Sequence, residues 1–435
     1  MTTYKQSLTP LGKTDYRNEH TPFYIKDADR LRHLYCIGKS GTGKSTLLQN
    51  MAISDIQKGK GVCVIDAHSD TVTALLDYVP LGRVQDVVYF NAPDLEFPTA
   101  FNPLYNIAPQ HRHIAAANLL ATFRRIWADS WGPRLEYILH QCLLTLLCYP
   151  QATLPDIQPL LTNKVFREEI LMYVSEVHLK TFWYSEYDRY PPAFRNEAIS
   201  PILNKTGVFI TNPILKGIVS QQGSIDIKEI VDSGKILLCN LSKGAIGEEV
   251  SALLGSMLLS SLQQAVLQRS TQQQDERKFF FCYVDEAHSY ISSGGAFESI
   301  LSECRKFGLS LFLTHQYLGQ LPEQTRSAIF GNVGTVISFQ LGSSDAGQLA
   351  KEFDPVFSAS DFTNLPKYSM YIKLAIDGVS SRGFSALSMP LAPPTQSHKE
   401  AILENSRKIP ATFATDSPAE QTPATISKAR QDTLF

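Results

Sequence analysis

The chain has 435 residues, of which 43% are hydrophobic and 19% are charged, so it is long enough to bury the cores of two or three domains. This composition excludes collagen-like, disulfide-scaffold and wholly disordered proteins. Its 40 Lys and Arg residues and 42 Asp and Glu residues give a net charge of -2. Any contact with nucleic acid must therefore depend on local basic patches.

Cysteine usage and hydropathy indicate where the protein functions. The seven cysteines form no C-x-x-C pair and lie mostly in apolar runs, which predicts small core residues of a reduced, cytoplasmic protein. No uninterrupted hydrophobic stretch reaches the roughly 18 to 20 residues of a membrane-spanning helix. The first residues lack the apolar region of a secretory signal. The sequence therefore predicts no direct membrane span.

Short apolar runs alternate with helical patterns along most of the chain. The run at 33–37 leads through a glycine-rich turn into a helical pattern that starts at Thr46, and another helix is predicted at 248–269. Continuous apolar runs of this length are typical of strands buried on both faces of a parallel sheet. Strands are predicted at 33–37, 61–65, 87–90, 235–241, 279–284, 309–314, 335–339 and 371–376. The alternation predicts an α/β fold with a doubly wound, mainly parallel sheet.

Residues 111–206 differ from the rest, because amphipathic helical periods follow one another there without a strand-like run. We interpret this segment as an all-helical domain inserted between two parts of one α/β core, 1–110 and 207–390. The composition then shifts to Pro, Thr, Ser, Ala and Gln. Residues 391–435 are therefore predicted to form a disordered tail, which can include a short helix near 399–407.

A phosphate-binding loop is predicted directly after the first buried strand. Residues 38–45, GKSGTGKS, fit the pattern G-x-x-x-x-G-K-[ST] and lie between a strand and a helix. The glycines let backbone N–H groups turn towards a phosphate, Lys44 would contact the β- and γ-phosphates, and Ser45 would bind Mg²⁺. The alternative is a chance glycine-rich turn. The predicted nucleotide-binding residues are Gly38, Lys39, Ser40, Gly41, Thr42, Gly43, Lys44, Ser45 and Thr46.

Two carboxylates follow the apolar strand at 279–284. Because a buried strand cannot hold a carboxylate in its interior without a large desolvation cost, Asp285 and Glu286 are expected at its carboxyl end, facing the ligand crevice of the sheet. Asp285 is predicted to contribute to Mg²⁺ binding, and Glu286 to be the general base that orients the attacking water. The alternative is a solvated strand end at which Asp285 caps a helix.

A third strand, at 309–314, is followed by Gln316, an uncharged amide that could contact both the γ-phosphate and the attacking water. Eleven residues earlier, Arg305 lies at the end of a predicted helix. Each residue also has an ordinary alternative, since a Gln at a strand end can be a capping residue and an Arg at a helix end can be a solvated charge. Neither residue alone distinguishes a functional role from the ordinary alternative.

The order of these features resembles that of a known family. The chain has, in this order, a phosphate-binding loop (P-loop), a helical insert, a strand that ends in Asp-Glu, Arg305 before the next strand and Gln316 after that strand. This order resembles that of the FtsK/HerA superfamily of ring-forming DNA-pumping ATPases. The similarity is closest to the soluble motor domain of conjugative coupling proteins of type IV secretion. It covers about residues 10–390 and includes segments at 27–34, 65–70, 101–104, 130–134, 240–243 and 331–332.

The resemblance implies a RecA-like P-loop NTPase core that uses ATP and Mg²⁺ and forms a homo-hexameric ring that translocates DNA. It also implies that Arg305 is an arginine finger inserted into the ATP site of the neighbouring subunit. Two features depart from the family. Asp66-Ala-His-Ser-Asp70 stands where the family commonly has Asp-Pro-His-Gly-Asp, which leaves the role of Asp66 open. Coupling proteins usually carry an N-terminal membrane anchor, and no such segment is expected here.

Basic and aromatic residues are mixed in the helical insert and are candidates for DNA contacts. They are Arg112, Arg124, Arg125, Arg134, Trp127 and Trp131. The alternative is a solvated helix face with its aromatic residues in the core. Two other functions also stay open, the ATPase of a protein-secretion system and a nucleotide-gated assembly module. A nuclease or a secretion protein stays open as a partner.

Overall fold

A mixed, mostly parallel sheet organises the computed structural model, which describes residues 8–291 and 296–412. The strands are β1 (Leu8–Thr14), β2 (Pro22–Lys26), β3 (Leu34–Ile37), β4 (Gly61–Asp66), β5 (Val87–Asn91), β6 (Ile236–Asn240), β7 (Phe280–Val284), β8 (Leu309–His315), β9 (Thr335–Ser338), β10 (Ser369–Lys373), β11 (Ala375–Ile376), β12 (Val379–Ser380) and β13 (Phe384–Leu387). Eleven of them form the sheet β2-β1-β13-β10-β9-β3-β8-β7-β4-β6-β5, while β11 and β12 form a separate hairpin. Neighbours from β9 to β5 are parallel, and those from β2 to β9 are antiparallel.

Continuous apolar sequence explains the parallel part of the sheet. Every residue of β4 and of β7 is buried. Successive side chains point to opposite faces, so that Cys63 and Ile65 join one hydrophobic core while Val62 and Val64 join the other. The sequence-based prediction of an α/β fold with a mainly parallel sheet is confirmed.

Helices pack on both faces of this sheet. They are α1 (Asp27–Arg30), α2 (Lys44–Gln57), α3 (Asp70–Leu75), α4 (Arg112–Ile126), α5 (Pro133–Leu146), α6 (Ile157–Thr162), α7 (Lys164–Leu171), α8 (Val177–Thr181), α9 (Pro192–Thr206), α10 (Val208–Thr211), α11 (Pro213–Val219), α12 (Ile227–Ser233), α13 (Lys243–Ile246), α14 (Glu248–Leu267), α15 (Ala296–Glu303), α16 (Glu323–Asn332), α17 (Ser343–Phe353), α18 (Ala359–Thr363) and α19 (Lys399–Thr412). The stretch from α4 to α12 contains no strand and extends beyond the predicted insert at 111–206. The domain boundaries themselves stay predictions.

The long helix α14 is a core element. With the short turn that follows it, it forms the one segment among the described residues, Glu248–Thr271, that is long and apolar enough to cross a membrane. Of its most apolar stretch, 78% is buried inside the fold. It packs against α4 and α12, so its apolar character is explained by burial within the protein.

The two N-terminal strands of the antiparallel part of the sheet, β1 and β2, were not predicted from the sequence. β1 has a mixed burial pattern and contains both a proline and a glycine, so its sequence carries no continuous apolar run. β2 also has a mixed burial pattern, in which only Ile25 is buried. Both strands are nevertheless held in the sheet, because β1 pairs with β2 on one side and with β13 on the other.

The first part of the predicted tail is ordered. Helix α19 is longer than the short helix suggested by the sequence, and it packs along the edge strand β5. Ile402 is fully buried, and Oγ of Ser406 accepts a hydrogen bond from the backbone N–H of Tyr89 at 3.2 Å. The helix thereby covers a sheet edge that would otherwise expose unpaired backbone groups. Residues 413–435 lie outside the described residues.

Candidate active site

The predicted phosphate-binding loop lies at the carboxyl edge of the parallel strands. Residues 38–43 connect β3 to α2, which begins at Lys44. Gly43 has φ 129°, and a Cβ at this position would lie 2.9 Å from Cε1 of Phe339. Only glycine satisfies both the backbone angle and the available space. The loop therefore has the conformation that the sequence pattern predicts.

Lys44 is buried within this loop. Its Nζ donates hydrogen bonds to the carbonyl oxygens of Gly38 at 2.6 Å and Lys39 at 3.0 Å. Ser45 follows in the first turn of α2 with its side chain exposed. A central ammonium group, a helix N-terminus and an adjacent hydroxyl are the groups expected around a phosphate and its bound Mg²⁺.

Asp285 lies at the end of β7, in the buried crevice beside the loop. Its Oδ1 accepts a hydrogen bond from the hydroxyl of Thr314 near the end of β8. Burial raises the pKa of Asp285, and the charge of Glu286 adds to this rise, whereas the Thr314 hydrogen bond opposes it. A hydroxyl from Ser45 and this carboxylate form a donor set of hard oxygen ligands, which Mg²⁺ prefers.

Glu286 and Gln316 meet where β7 and β8 end. Nε2 of Gln316 donates to Oε1 of Glu286 at 2.8 Å. Glu286 is only 6% exposed, and its Oε2 makes no hydrogen bond to the described residues, although Nδ1 of His288 lies 3.3 Å away. Leaving a buried acceptor unpaired costs free energy, so this oxygen is well suited to hold a water molecule. The backbone of Glu286 has φ 49°, a conformation that is uncommon outside glycine and is found at functional sites.

Gln320 connects the loops that carry these two residues, and sequence reasoning did not identify it. Its Oε1 accepts hydrogen bonds from the backbone N–H groups of Gln316 and Tyr317, both at 3.1 Å. Its Nε2 lies 3.2 Å from Nε2 of His288. Burial, together with nearby positive charges, lowers the pKa of His288 to about 4, so the neutral ring can accept this hydrogen bond. No sequence motif marks a Gln at this distance from a strand end.

Arg305 lies at the opposite edge of the sheet from the P-loop of its own chain. It is exposed in the turn Cys304–Phe307, which precedes β8. β8 runs parallel to β3, and His315 at its end pairs with Ile37 directly before the P-loop. The seven residues of β8 span roughly 20 Å. The structure therefore does not bring Arg305 together with Lys44 and Glu286 within one chain.

Asp66, whose role the sequence left open, caps a helix. Its Oδ1 accepts the backbone N–H of His68 at 2.8 Å. Its Oδ2 accepts the backbone N–H groups of Thr71 at 2.8 Å and Val72 at 3.0 Å, in the first turn of α3. Burial raises the pKa of Asp66, whereas these hydrogen bonds act in the opposite direction. The residue stabilises the chain segment that follows β4.

Arg125, one of the candidates for a DNA contact, is partly buried and makes structural hydrogen bonds. It donates hydrogen bonds to Oγ of Ser256 at 2.8 Å, to the carbonyl oxygen of His288 at 3.0 Å and to that of Ser289. Burial lowers its pKa to about 10. Arg125 therefore fastens α4 to α14 and to the turn after Glu286, and its contact with DNA stays a prediction.

The other basic and aromatic candidates divide by exposure. Arg124 and Arg134 are exposed, with Glu136 at 3.5 Å and Glu197 at 3.3 Å as their respective ion-pair partners. Arg112 and both tryptophans of this region are partly buried. Arg124 and Arg134 are therefore the most accessible of the basic candidates, and all the contacts with DNA stay predictions.

Comparison with known proteins identifies the fold. The bacterial conjugative coupling protein TrwBdeltaN70, in an unbound form, has a TM-score of 0.63 and 14% identity, and the match covers 86% of this chain and 89% of that one. The plasmid coupling protein TrwB in complex with ADP and Mg²⁺ has a TM-score of 0.62 and 14% identity, covering 89% and 91%. VirB4 of Thermoanaerobacter pseudethanolicus has a TM-score of 0.61 and 13% identity, covering 91% and 98%.

The sequence comparisons give no match, either to a protein-family model or to a curated protein. Sheet order and loop geometry nevertheless define the chain as a RecA-like P-loop NTPase in fold. Within that class, its fold is the one shared by the coupling protein TrwB and VirB4. The resemblance to the soluble motor domain of conjugative coupling proteins is confirmed at the level of the fold.

Proposed function

We propose that this chain is an Mg²⁺-dependent ATPase that forms a ring and translocates DNA, as a motor of the conjugation and secretion class. The observation that carries the proposal is the contact between Glu286 and Gln316, which leaves the other buried carboxylate oxygen without a hydrogen bond from the described residues. A loop that only binds nucleotide does not need such a group. Solved structures of TrwB contain ADP with Mg²⁺, a non-hydrolysable ATP analogue and a non-hydrolysable GTP analogue, which supports binding of a purine nucleotide with Mg²⁺.

Different residues of the chain are proposed to bind the phosphates, the metal ion and the attacking water. The N–H groups of residues 38–45 and the ammonium group of Lys44 would hold the β- and γ-phosphates. Ser45 and Asp285 would hold Mg²⁺, which neutralises phosphate charge when it is bound. Oε2 of Glu286 orients the attacking water and accepts its proton.

We propose that Gln316 reports the reaction to the rest of the molecule. Its side chain contacts Glu286, while its backbone N–H is held by Gln320. A change at the carboxylate during hydrolysis would therefore shift the loop that follows β8. We assign this loop the task of coupling hydrolysis to movement of the ring.

The position of Arg305 supports a homo-oligomer. An exposed guanidinium at the amino edge of the sheet can act on a phosphate only if that edge packs near the carboxyl edge of a neighbouring sheet. A ring of identical subunits provides this arrangement at every interface. We propose Arg305 as the residue that each subunit contributes to its neighbour's site, with six subunits as in the family that the sequence resembles.

The proposal is tested by ATP turnover with and without DNA. Turnover is expected to require Mg²⁺ and to increase when DNA is added. Glu286→Gln should keep ATP bound without hydrolysing it, and Glu276→Gln, which changes an exposed carboxylate, should behave like the parent. If the rate of ATP hydrolysis is the same with and without DNA, DNA is not the substrate that is translocated. This result would favour a protein-export ATPase or a nucleotide-gated assembly module.

A further inference from the structure

A tyrosine with an unusual backbone conformation borders the P-loop. Tyr368 has φ 67°, in the left-handed region, and precedes β10. For a bulky residue this is a genuine outlier, whereas glycine adopts the same conformation without strain. Such strain persists where the surrounding structure imposes it, and it is concentrated at active sites and ligand clamps.

Two hydrogen bonds impose the conformation of Tyr368. Its backbone N–H donates to the carbonyl oxygen of Thr42, within the P-loop, at 2.9 Å. Its own carbonyl oxygen accepts the N–H of Ser388, just after β13, at 2.9 Å. The residue is thus held between the phosphate-binding loop and the antiparallel part of the sheet, and the position of its side chain is fixed relative to the loop.

The ring of Tyr368 contacts the loop with one edge and leaves much of its surface open. A Cβ placed on Gly43 would lie 3.2 Å from Cδ1 of Tyr368, so the ring rests directly against the residue that precedes Lys44. The side chain is nevertheless 46% exposed. Nζ of Lys367 lies over one face of the ring, 5.0 Å from the ring centroid, which leaves a single face for a stacking ligand and places a positive charge beside it.

We propose that Tyr368 is the residue on which the base of the bound nucleotide stacks, which extends the ATP site proposed above. Phosphates held by the loop leave the ribose and base to extend outward, to the rim where this ring is fixed. An open aromatic face binds a purine by stacking, and the positive charge of Lys367 favours the anionic nucleotide. Because stacking requires no hydrogen bonds to the edge of the base, the contact should accept adenine and guanine alike.

The test separates the base from the phosphates. Dissociation constants would be measured with Mg²⁺ for ATP, for GTP and for inorganic tripolyphosphate, which has the phosphates but no base. The variants are Tyr368→Ala, Tyr368→Phe and Tyr368→Gly. Tyr24→Ala is the matched control, because Tyr24 is 48% exposed and lies on β2, the outermost strand of the antiparallel part of the sheet.

Tyr368→Ala and Tyr368→Gly should weaken both nucleotides by about tenfold, within the range that base stacking on an aromatic residue contributes, and leave tripolyphosphate unchanged. Tyr368→Phe and the control should bind all three ligands like the parent. Tyr368→Gly should also melt at or above the parental temperature, since glycine removes the backbone strain. This result would show that the weaker binding does not come from misfolding.

Three outcomes would overturn the inference. Equal weakening of ATP and tripolyphosphate would mean that Tyr368 only shapes the P-loop. If Tyr368→Ala binds ATP like the parent, whether or not subunit assembly is altered, the side chain of Tyr368 does not contact the base. If the parent binds neither ATP nor tripolyphosphate in a manner that depends on Lys44, the nucleotide site itself fails, and this inference fails with it.

Discussion

The two edges of the parallel sheet carry different kinds of functional residue. At the carboxyl edge, Lys44 and Glu286 are buried, and the latter is hydrogen-bonded to Gln316 of the same chain. At the amino edge, Arg305 is exposed in a short turn. One edge therefore holds a set of groups, proposed above to be catalytic, that is assembled within the chain. The other presents a charge whose proposed target lies in a second subunit.

The largest effect is expected at the carboxyl edge. Lys44→Ala should abolish ATP hydrolysis and weaken ATP binding, because it removes the positive side-chain charge that attracts the β- and γ-phosphates. Glu286→Gln should abolish turnover but retain ATP, because the carboxylate acts on water and not on binding. Turnover and equilibrium ATP binding, measured on both variants, separate the two roles. Near-parental hydrolysis by Glu286→Gln would make Asp285 the next candidate for the base.

At the amino edge, Arg305→Ala should lower turnover by about 10³ to 10⁵, the typical contribution of an arginine finger. ATP affinity should change little, because the proposed charge stabilisation develops in the transition state. Lys306→Ala is the matched control, since the neighbouring residue is a cation that is also exposed. Equal effects of the two substitutions would mean that only the net charge of this surface matters.

A smaller effect is expected at the link between the loops after β7 and β8. Gln320→Ala removes the hydrogen bonds that hold the backbone of Gln316 and contact His288. Turnover should fall by roughly ten- to a hundredfold, because a displaced catalytic group loses much of its effect. ATP affinity should be unchanged. Weaker ATP binding with normal kcat would contradict the assignment of Gln320 as a positioning residue.

Two adjacent arginines allow the buried and exposed sides of α4 to be compared. Arg125→Ala should reduce the free energy of unfolding by about 2–3 kcal/mol, because it breaks several hydrogen bonds from a charged and largely buried group. Arg124→Ala removes one exposed ion pair and should cost about 0–1 kcal/mol. Chemical denaturation of both variants measures the difference. Equal costs would contradict the structural role of Arg125.

The smallest effect concerns acid stability at the amino edge, where the neutral ring of His33 is held by two hydrogen bonds. Its Nδ1 accepts the N–H of Leu311 at 3.1 Å, and its Nε2 lies 3.0 Å from the carbonyl oxygen of Leu301. Burial, with a further contribution from the charge of Arg305, lowers its pKa to about 4, although the hydrogen bond to Leu301 opposes the shift.

The unfolded chain takes up a proton at His33 near pH 6.5, and the folded chain only near pH 4. The stability contributed by the neutral ring is therefore complete above pH 6.5 and is lost progressively as the pH falls towards 4. The loss amounts to about 2 kcal/mol at pH 5. His33 has φ 62°, in the left-handed region, which Asn also tolerates. His33→Asn should therefore reduce the difference in unfolding free energy between pH 7 and pH 5 by this amount. An unchanged difference would contradict the buried neutral state.

The sequence predicted the carboxyl edge well, because its signals are local. The P-loop has a fixed pattern, and an apolar strand that ends in carboxylates places Glu286 without further information. What it missed depends on contacts between distant segments. The roles of Gln320 and Tyr368 follow from loop conformation, and β1 carries no apolar run. The structural hydrogen bonds of Arg125 could not be predicted, because neighbouring arginines on a helix have the same sequence signal whether they are exposed or partly buried.

The central claim is that each site needs residues from two subunits, and a mixing experiment tests it most directly. Inactive Lys44→Ala and inactive Arg305→Ala are combined, with subunit exchange verified by an independent label. In a mixed ring, some subunits with intact Lys44 face a neighbour with intact Arg305, so ATP hydrolysis should partly return. Verified exchange without recovered hydrolysis would contradict the account, because it would mean that Arg305 does not serve a neighbouring subunit's site.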